Sequence, residues 1–330
     1  MARTAFVTGA NGFIGLNLVE ELLDQGWSVV AMHRRESNIE ALAELDVQRV
    51  IGDVTDSRTL RRVVPTGADA IFHVAGLTSL WSRRVAEQTR VNVKGTRNMV
   101  RLALETGARR FIHTSSVVAY GMHTGTVTEE TPTRGTNAPI NYVRSKALAE
   151  REVRRGIRRG LDAVIINPAN VLGPHDRGNW SRLFRLTQQH RLPGMPPGGG
   201  SFCHSREVAR AMVSAVDKGA SGANYLLGGS NASYVKLVHE MAAMMGRRTR
   251  YRPLPSRLLR AYARVEELIA PVFGREPDIT TDSIRLLSIS LYCSSRKAQA
   301  ELGYTPVPLE VLLKDCYQWM VDTGRLKPPA

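Results

Sequence analysis

The feature that most constrains the fold is a regular alternation of short apolar runs with amphipathic stretches through the first half of the 330-residue chain. Val, Ile, Ala and Phe fill the short runs almost continuously, as expected for strands covered on both faces. Alternating strands and helices predict an α/β fold with a doubly wound parallel sheet. The predicted strands are TAFVTGA (4–10), SVVAMH (28–33), QRVIGD (48–53), DAIFHVA (69–75), RFIHTSS (110–116) and DAVIINPA (162–169).

The alternation ends after Ala169, and the second half has a different pattern. The stretch LPGMPPGGGS (192–201) is too rich in Pro and Gly for either regular structure and predicts a loop. We expect a large domain over 1–172 and a smaller, mainly helical region over 173–330, with segments near 202–230 and 290–300 interleaved with the first domain. The predicted elements of this half are helices at 205–218, 233–246, 256–273 and 308–323, and short strands at 224–228 and 291–293.

Composition excludes several classes of protein. No apolar run approaches the ~20 residues of a membrane-spanning helix, and the apolar segment from Ala5 leads straight into glycines, unlike a signal peptide. The net charge of +15 comes mostly from dispersed arginine pairs without a nucleic-acid-binding motif, which favours a solvated arginine-rich surface. Cys203, Cys293 and Cys316 have neither disulfide nor metal-ligand spacing. We therefore expect reduced, buried thiols in a cytoplasmic protein without a metal.

The segment TGANGFIG (8–15) joins the first predicted strand to the first predicted helix and places a glycine at every third position. In this arrangement, backbone amides and a helix N-terminus can meet a pyrophosphate. Gly9 would make the turn, Gly12 would allow close phosphate approach, and Gly15 would let the helix pack on the strand. The spacing differs from the G-x-G-x-x-G fingerprint, so the segment alone leaves a cofactor site and a plain strand-to-helix turn equally open.

The second predicted strand ends in MHRRES, where a site selective for NAD usually carries an acidic residue for the ribose 2′-hydroxyl. Here His33 occupies that position and is followed by Arg34 and Arg35. A guanidinium binds a 2′-phosphate bidentately, whereas a carboxylate would repel it. This placement predicts that NADPH is preferred over NADH, and the alternative is a solvated loop pair. Asp53, after the third strand, is expected to accept from the adenine amino group.

The pattern Tyr142-Val143-Arg144-Ser145-Lys146 carries the strongest chemical signal. On a helix, a spacing of four places Tyr142 and Lys146 on one face. A free phenol has a pKa near ~10, and a neighbouring ammonium lowers it, so that the phenol can move the proton that accompanies hydride transfer. Ser116 is the last residue of the fifth predicted strand, at the sheet edge where α/β folds place their sites, and would hydrogen-bond the substrate oxygen. Alone, each feature also fits a surface helix or a turn serine.

Together these features resemble the extended short-chain dehydrogenase/reductase family. The resemblance implies a Rossmann domain that binds NADP, a catalytic set of Ser116, Tyr142 and Lys146, and a substrate region in the second half. It extends over TGANGFIG, GDVTD (52–56), HVAG (73–76), VNVKGTRN (91–98), HTSSVVAYG (113–121), YVRSK (142–146), INPANVLGP (166–174), FCHSREVARAM (202–212) and RKAQAELGYTP (296–306). The cofactor-binding residues expected are Gly9, Asn11, Gly12, Phe13, Ile14, Gly15, Arg34, Arg35, Asp53, Val54, Val74, Ala75, Gly76, Thr114, Tyr142, Lys146, Pro168 and Val171.

Within that family, the chain is most similar to the dihydroflavonol-4-reductase-like and 3β-hydroxysteroid-dehydrogenase-like branch, some members of which are named hopanoid-associated sugar epimerases. Dehydratases carry an acidic pair after the catalytic hydroxyl residue, where this chain has Val117 and Val118. The branch implies reduction of a ketone or aldehyde on a small, largely apolar molecule. The substrate-contacting residues expected by analogy are Thr78, Trp81, Met122, Asn170, His175, Trp180 and Phe184, although for most of them core packing or a loop position fits equally well.

Several alternatives stay open at this point. A nucleotide-sugar epimerase that retains its cofactor is one, and a non-catalytic NADP-binding regulator is less favoured because the Tyr/Lys pair is intact. The apolar residues of 256–273, interleaved with Arg257, Arg260 and Arg264, favour a lid over the pocket rather than a helix lying on a membrane. The family resemblance also implies a homodimer through the helix that starts near Val91 and the helix that carries Tyr142.

Overall fold

The computed structural model describes residues 2–192, 194–247 and 251–327. The strands are β1 (Thr4–Thr8), β2 (Ser28–His33), β3 (Gln48–Ile51), β4 (Ala70–His73), β5 (Phe111–Thr114), β6 (Gly125–Val127), β7 (Ala163–Pro168), β8 (Asn170–Leu172), β9 (Gly199–His204), β10 (Asn224–Leu227), β11 (Ser230–Ser233) and β12 (Ser290–Cys293). The α-helices are α1 (Phe13–Asp24), α2 (Glu40–Ala43), α3 (Ser57–Val63), α4 (Val85–Thr89), α5 (Thr96–Glu105), α6 (Asn141–Ile157), α7 (Arg182–Gln188), α8 (Ser205–Asp217), α9 (Tyr234–Met244), α10 (Ser256–Ile269), α11 (Thr281–Leu287), α12 (Arg296–Leu302) and α13 (Leu309–Asp322).

Seven strands form one parallel sheet in the order β10-β7-β5-β4-β1-β2-β3. Each of the six strands predicted for the first half lies in this sheet, and helices cover both faces. Apolar side chains of α1, α8 and α12 pack on one face, and those of α3, α5 and α6 pack on the other. The doubly wound Rossmann-like fold expected from the sequence is therefore confirmed, and its carboxyl edge is where such folds bind ligands.

A second sheet has the order β11-β9-β12-β6, with β8 also paired to β9. The prediction of a loop over 192–201 is wrong at its end, because β9 begins at Gly199; Pro193 in the same stretch lies outside the described residues. A Cβ at Gly199 would come within 2.7 Å of the Ala232 carbonyl oxygen, and one at Gly200 within 2.3 Å of the Asn170 amide nitrogen. Gly199 and Gly200 are therefore required because neighbouring strands of the sheet leave no room for a side chain.

Helices α7, α9 and α13 of the second half enclose a separate hydrophobic core. The predicted helices correspond to α8, α9, α10 and α13, while α7, α11 and α12 were not anticipated. The helix predicted over 256–273 is α-helical only to Ile269, and a 3₁₀ turn at Ala270–Phe273 follows, with Pro271 near its start. In the described ranges, no helix has the length and apolarity needed to cross a membrane.

The chain between β4 and β5 also departs from regular helix geometry. A π-helical segment, Arg90–Gly95, joins α4 to α5, and Asn92 lies within it. The Asn92 side chain accepts a hydrogen bond of 2.8 Å from the Leu77 amide and donates one of 2.9 Å to the Ser145 hydroxyl. It therefore joins the loop after β4 to α6. π-helical turns of this kind are frequent near functional sites.

Candidate active site

The glycine loop after β1 has no room for larger residues. Gly9 has a φ of +68°, and a Cβ there would lie 2.9 Å from the backbone of Ala75. A Cβ at Gly15 would lie 2.1 Å from the Gly9 carbonyl oxygen. Gly12 caps α1 without a side chain, so the first amides of the helix face the space in front of the loop. The loop therefore offers an open, amide-lined cradle at the carboxyl edge of the large sheet.

This cradle is one end of a cleft of about 340 Å³. Of the expected cofactor-binding residues, the cleft is lined by Gly9, Asn11, Gly12, Phe13, Ile14, Gly15, Arg34, Asp53, Val54, Val74, Ala75 and Gly76. It is also lined by Thr78, which was expected to contact substrate. The lining residues that the sequence interpretation missed are Met32, His33, Ser37, Gly52, Leu77, Glu87, Val91 and Asn179. Asn179 shows that the second half of the chain also reaches the cleft.

Charged side chains from two elements meet at this cleft. Arg34 is exposed and lines it, whereas the neighbouring Arg35 does not. Glu87 of α4 also lines it and forms a double hydrogen bond of 2.9 Å to Arg84. Arg84 is the main cause of the lowered pKa of Glu87, and the positive charge of Arg34 acts in the same direction. The cleft therefore presents, at Arg34, a guanidinium without an ion pair to any described residue, and beside it a carboxylate whose charge is already compensated by Arg84.

Ser116 lies immediately after β5, at the start of a 3₁₀ turn. Its hydroxyl accepts a hydrogen bond of 3.4 Å from the Val118 amide and lies 3.5 Å from the Pro168 carbonyl oxygen at the end of β7. Both contacts are long, so the hydroxyl keeps most of its capacity for a better partner. Val117 and Val118 are buried in an apolar cluster. The structure thus brings together Ser116 and Pro168, two residues expected at the nicotinamide end.

Tyr142 and Lys146 occupy one face of α6. The Lys146 ammonium donates a hydrogen bond of 3.0 Å to the Thr114 carbonyl oxygen at the end of β5. A Cβ on Gly76 would lie 3.3 Å from the same nitrogen, so the glycine leaves this nitrogen accessible from the cleft. Val171 of β8, also among the expected cofactor-binding residues, packs against the hydrophobic core that contains the side chains of α1 and α8. Lys146 therefore stands where the cofactor cleft meets the end of β5.

Burial controls the ionisation of this pair. It lowers the pKa of Lys146 to about 8, while the negative charge of Glu150 acts against the shift. Burial raises the pKa of the Tyr142 phenol, and the neighbouring Ser116 hydroxyl acts in the opposite direction. The expectation that the Tyr142 pKa lies below the ordinary value is therefore wrong, because desolvation of the phenolate outweighs its stabilisation by the Ser116 hydroxyl. The phenol is held in its protonated, donating form.

A buried polar network supports these residues, and the sequence interpretation missed it. Glu150, one turn after Lys146 on α6, accepts hydrogen bonds from the Ser115 hydroxyl (2.5 Å) and the Asn167 amide (2.6 Å). The Asn167 amide also donates to the Ser116 carbonyl oxygen at 3.0 Å. The spacing of four between Lys146 and Glu150 is a signal that could have identified the carboxylate, because it places both on one helix face.

The space beside Tyr142 is apolar. Tyr142 packs against a buried apolar cluster that includes Val117 and Val118. Met122, one of the expected substrate residues, packs against the same cluster, as do Leu80, Leu286 and Ile289. Leu80 comes from the loop after β4 and Leu286 from α11, so both halves of the chain contribute. Trp81, in the same loop, stacks with the Arg83 guanidinium at 5.7 Å. A substrate that reaches the phenol therefore meets mainly hydrocarbon.

The other expected substrate residues have structural partners. Asn170 donates to the Ser201 carbonyl oxygen at 3.0 Å between β8 and β9. His175 lies 2.8 Å from the Glu20 carboxylate of α1. Phe184 is fully buried in the core of the second half, and Trp180 stacks there on Tyr234 at 5.4 Å. In the described ranges, no three His, Cys, Asp or Glu side chains come together as metal ligands.

Comparison with known proteins decides the family. The profile of the NAD dependent epimerase/dehydratase family matches residues 5–228, which is more than half of the chain. The chain belongs to this family. Its membership of the extended short-chain dehydrogenase/reductases, expected from the sequence, is thereby confirmed. The family has oxidoreductase and epimerase members.

Similar proteins of this epimerase/dehydratase family match nearly the whole chain. The sterol demethylase protein B of Methylococcus capsulatus is 33% identical over 328 residues, which cover 98% of this chain and 100% of that protein. A putative dihydroflavonol 4-reductase of Synechocystis is 31% identical over 336 residues, with coverage of 99% and 97%. The crystal structure of gox2253 has a TM-score of 0.85 at 32% identity and covers 98% of this chain and 99% of that one. These similarities support the reductase-like branch within the family.

Proposed function

We propose that this protein is an NADPH-dependent reductase of a ketone or aldehyde on a small, largely apolar molecule. The observation that carries the proposal is the meeting of Ser116, Tyr142 and Lys146 at the carboxyl edge of the sheet, beside an apolar cluster. A hydroxyl pair with a buried ammonium suits protonation of a carbonyl oxygen. The surrounding hydrocarbon suits an apolar substrate.

The residues of the cleft fit a nicotinamide dinucleotide. The glycine loop gives its phosphates access to backbone amides. Gly9 and Gly15 are needed for the shape of this loop, because a Cβ at either position would collide with the backbone of Ala75 or of Gly9. Arg34 supports NADPH as the cofactor, since its guanidinium is exposed at the cleft. The end of β2 carries no acidic residue of the kind that would select NAD. When bound, the reduced cofactor supplies the hydride for carbonyl reduction.

Tyr142, Ser116 and Lys146 each have a separate role in protonating the substrate oxygen. Tyr142, whose pKa is raised by burial, holds its proton until a substrate oxygen gains negative charge, and then donates it. Ser116 donates a hydrogen bond to the same oxygen. Lys146, anchored to the Thr114 carbonyl, adds a positive charge that favours the tyrosinate left after proton transfer.

The second candidate function is that of an epimerase, because the family includes epimerases. An epimerase would need Tyr142 first to take the proton of a substrate hydroxyl as the substrate gives up a hydride, and then to return that proton as the hydride comes back. The apolar cluster with Met122, Leu80 and Leu286 around Tyr142 favours the reductase, because a nucleotide sugar is polar and charged. Two relatives, named a sterol demethylase protein and a putative dihydroflavonol 4-reductase, agree with an apolar substrate.

The test is Tyr142→Phe, assayed by NADPH oxidation with a panel of hydrophobic ketones and aldehydes. The substitution should lower the rate by a factor of roughly 10²–10⁴, the usual worth of a positioned acid, while NADPH binding is retained. Tyr317→Phe is the matched control, because that tyrosine packs in the core of the second half. A Tyr142→Phe protein with the wild-type rate would refute the mechanism. Interconversion of nucleotide-sugar epimers without net NADPH oxidation would establish the epimerase.

A further inference from the structure

The largest exposed apolar surface of the described residues follows α10 and the 3₁₀ turn after it. Leu268, Val272 and Phe273 are 73%, 80% and 72% exposed, values that exceed those of every other large apolar side chain described. The full surface, which we name the α10 face, consists of Leu258, Tyr262, Val265, Leu268, Ile269, Val272 and Phe273. These residues recur at three and four, so they form one continuous stripe. A contiguous apolar stripe of this kind marks an interaction site.

The opposite side of α10 is the one that packs on the protein. Leu259 and Ala263 are buried against Ile284 of α11. The expectation that the apolar residues of this helix form a lid is therefore wrong for most of them, because they point away from the fold. On the inner side of α11, Leu286 belongs to the cluster around Tyr142. A single helix thus separates the α10 face from the candidate active site.

Positive charge borders the α10 face. Arg257 and Arg264 are exposed, and with Arg260 they lie along the helix without any ion pair to a residue that the structure describes. The nearby carboxylate of Glu266 is already paired with Arg275 at 2.6 Å. The net charge of the chain is +15, so two copies repel each other, whereas an anionic surface is attracted. The charge pattern therefore complements an acidic partner with an apolar interior.

We propose that the α10 face docks this protein onto the surface of a lipid bilayer that contains acidic headgroups. At 14 residues, α10 is too short to span a membrane, but its apolar stripe bordered by arginines is the pattern of a helix that lies in the interface. Val272 and Phe273, in the turn that ends at Gly274, enter furthest among the acyl chains. Arg257, Arg260 and Arg264 contact lipid phosphates. Docking does not depend on the reaction that the active site performs.

The test is binding of the full-length protein to vesicles of phosphatidylcholine alone or mixed with phosphatidylglycerol, measured by flotation. Wild type should bind the mixed vesicles, and added salt should weaken binding because it screens the arginines. Val272→Ser/Phe273→Ser should reduce the partition coefficient by about tenfold or more, since it removes the most exposed apolar groups. Arg257→Gln/Arg264→Gln should reduce it by roughly tenfold on mixed vesicles and little on neutral ones.

Two control variants distinguish docking through the α10 face from non-specific binding of the protein to vesicles. Val311→Ser removes an exposed apolar side chain of α13, 47% accessible, and should bind vesicles as wild type does. Arg158→Gln/Arg159→Gln removes two exposed arginines far along the chain from α10 and should do the same. NADPH titration and circular dichroism confirm that each variant is folded. Wild type that stays unbound, or a Val272→Ser/Phe273→Ser protein that binds normally, overturns the proposal. So does a dimer, seen by sedimentation, that this double variant dissociates.

Discussion

The Glu150 carboxylate accepts a hydrogen bond of 2.6 Å from the side-chain amide of Asn167, and this contact joins α6 to β7 beneath the candidate active site. The other hydrogen of that amide is donated to the Ser116 carbonyl oxygen at 3.0 Å. Glu150 also lies one turn from Lys146, whose pKa it raises against the effect of burial. One carboxylate therefore influences the position of Ser116 and the charge of Lys146 without touching the cleft.

Glu150→Ala should be strongly destabilising. The substitution leaves the Ser115 hydroxyl and the amides of Asn167 and Asn224 without their acceptor in a buried site. An unsatisfied buried donor costs about 1–3 kcal/mol, so we expect the free energy of unfolding to fall by roughly 2–5 kcal/mol. Urea unfolding measures this value. Glu44→Ala, an exposed carboxylate, is the control and should change it by less than about 0.5 kcal/mol. A loss in Glu150→Ala no larger than the control's would show that the network is not stabilising.

Lys146 should make stability depend on pH on the alkaline side. Burial lowers its pKa from the ordinary 10.5 to about 8, so the unfolded chain binds the proton more tightly. The free energy of unfolding of wild type should therefore rise between those two values, relative to Lys146→Met, because the protein no longer holds a buried charge. From about pH 7.5 to about pH 9.5 the difference should grow by about 1–2 kcal/mol. Urea unfolding at the two pH values tests this, and exposed Lys94→Met should parallel wild type.

The large sheet was predictable from the sequence because strands covered on both faces must be apolar throughout. β2 matches its predicted range, and β1 and β4 are shorter only at their ends. The second sheet was not predictable in this way. Gly199 and Gly200 read as loop residues, and only their distant neighbours Ala232 and Asn170 explain them as part of a strand. Pairing between segments far apart in the chain leaves no periodic signal.

In the candidate site, too, features with a local sequence pattern were predictable, whereas contacts between distant segments were not. Helical spacing alone places Tyr142, Lys146 and Glu150 on one face of α6, and the end of β5 places Ser116 nearby. The partner of Glu150 is Asn167, and no local pattern connects those two positions. Glu87 reaches the cleft from a helix that the sequence did not reveal, so its pairing with Arg84 was equally hidden. The NADPH preference and the homodimer through α5 and α6 stay predictions.

Two buried histidines should make the protein sensitive to acid. His73 and His113 stack at 5.5 Å on adjacent strands, and burial lowers the pKa of His73 to about 3 and that of His113 well below its ordinary value. His73 is bonded to Thr8 and Thr96, whereas no described residue bonds the ring nitrogens of His113. Both stay neutral in the folded protein, while the unfolded chain is protonated below about pH 6.5. The contribution of the two neutral histidines to the free energy of unfolding is therefore fully present above that pH and is lost as the pH falls.

His113→Phe removes one of these titrations while keeping a ring of similar size. Between about pH 6.5 and about pH 4.5, its free energy of unfolding should fall by roughly 1–3 kcal/mol less than that of wild type. Urea unfolding across this range provides the measurement, and His123→Phe, at a half-buried loop position, should follow wild type. Equal acid sensitivity in His113→Phe and wild type would mean that His113 is protonated in the folded state.

Arg34 should decide the choice between the two nicotinamide cofactors. Its guanidinium is exposed at the cleft, and the carboxylate of Glu87, which lines the same cleft, is compensated by Arg84. A 2′-phosphate there would gain a charge-assisted pair of hydrogen bonds, which contributes about 1.5–3 kcal/mol. Arg34→Ala should therefore weaken NADPH binding by roughly 10- to 100-fold and leave NADH binding within about twofold.

Fluorescence titration of both cofactors measures the effect, and Arg35→Ala provides the matched control. Arg35 carries the same charge one residue further on but does not line the cleft, so its removal should weaken NADPH binding by less than about threefold through long-range attraction alone. That residual effect should disappear at high salt, while the effect of Arg34→Ala should persist because a direct contact is screened less. Equal losses for NADPH and NADH in Arg34→Ala would assign the arginine to the shared adenosine portion and remove the basis for NADPH selection.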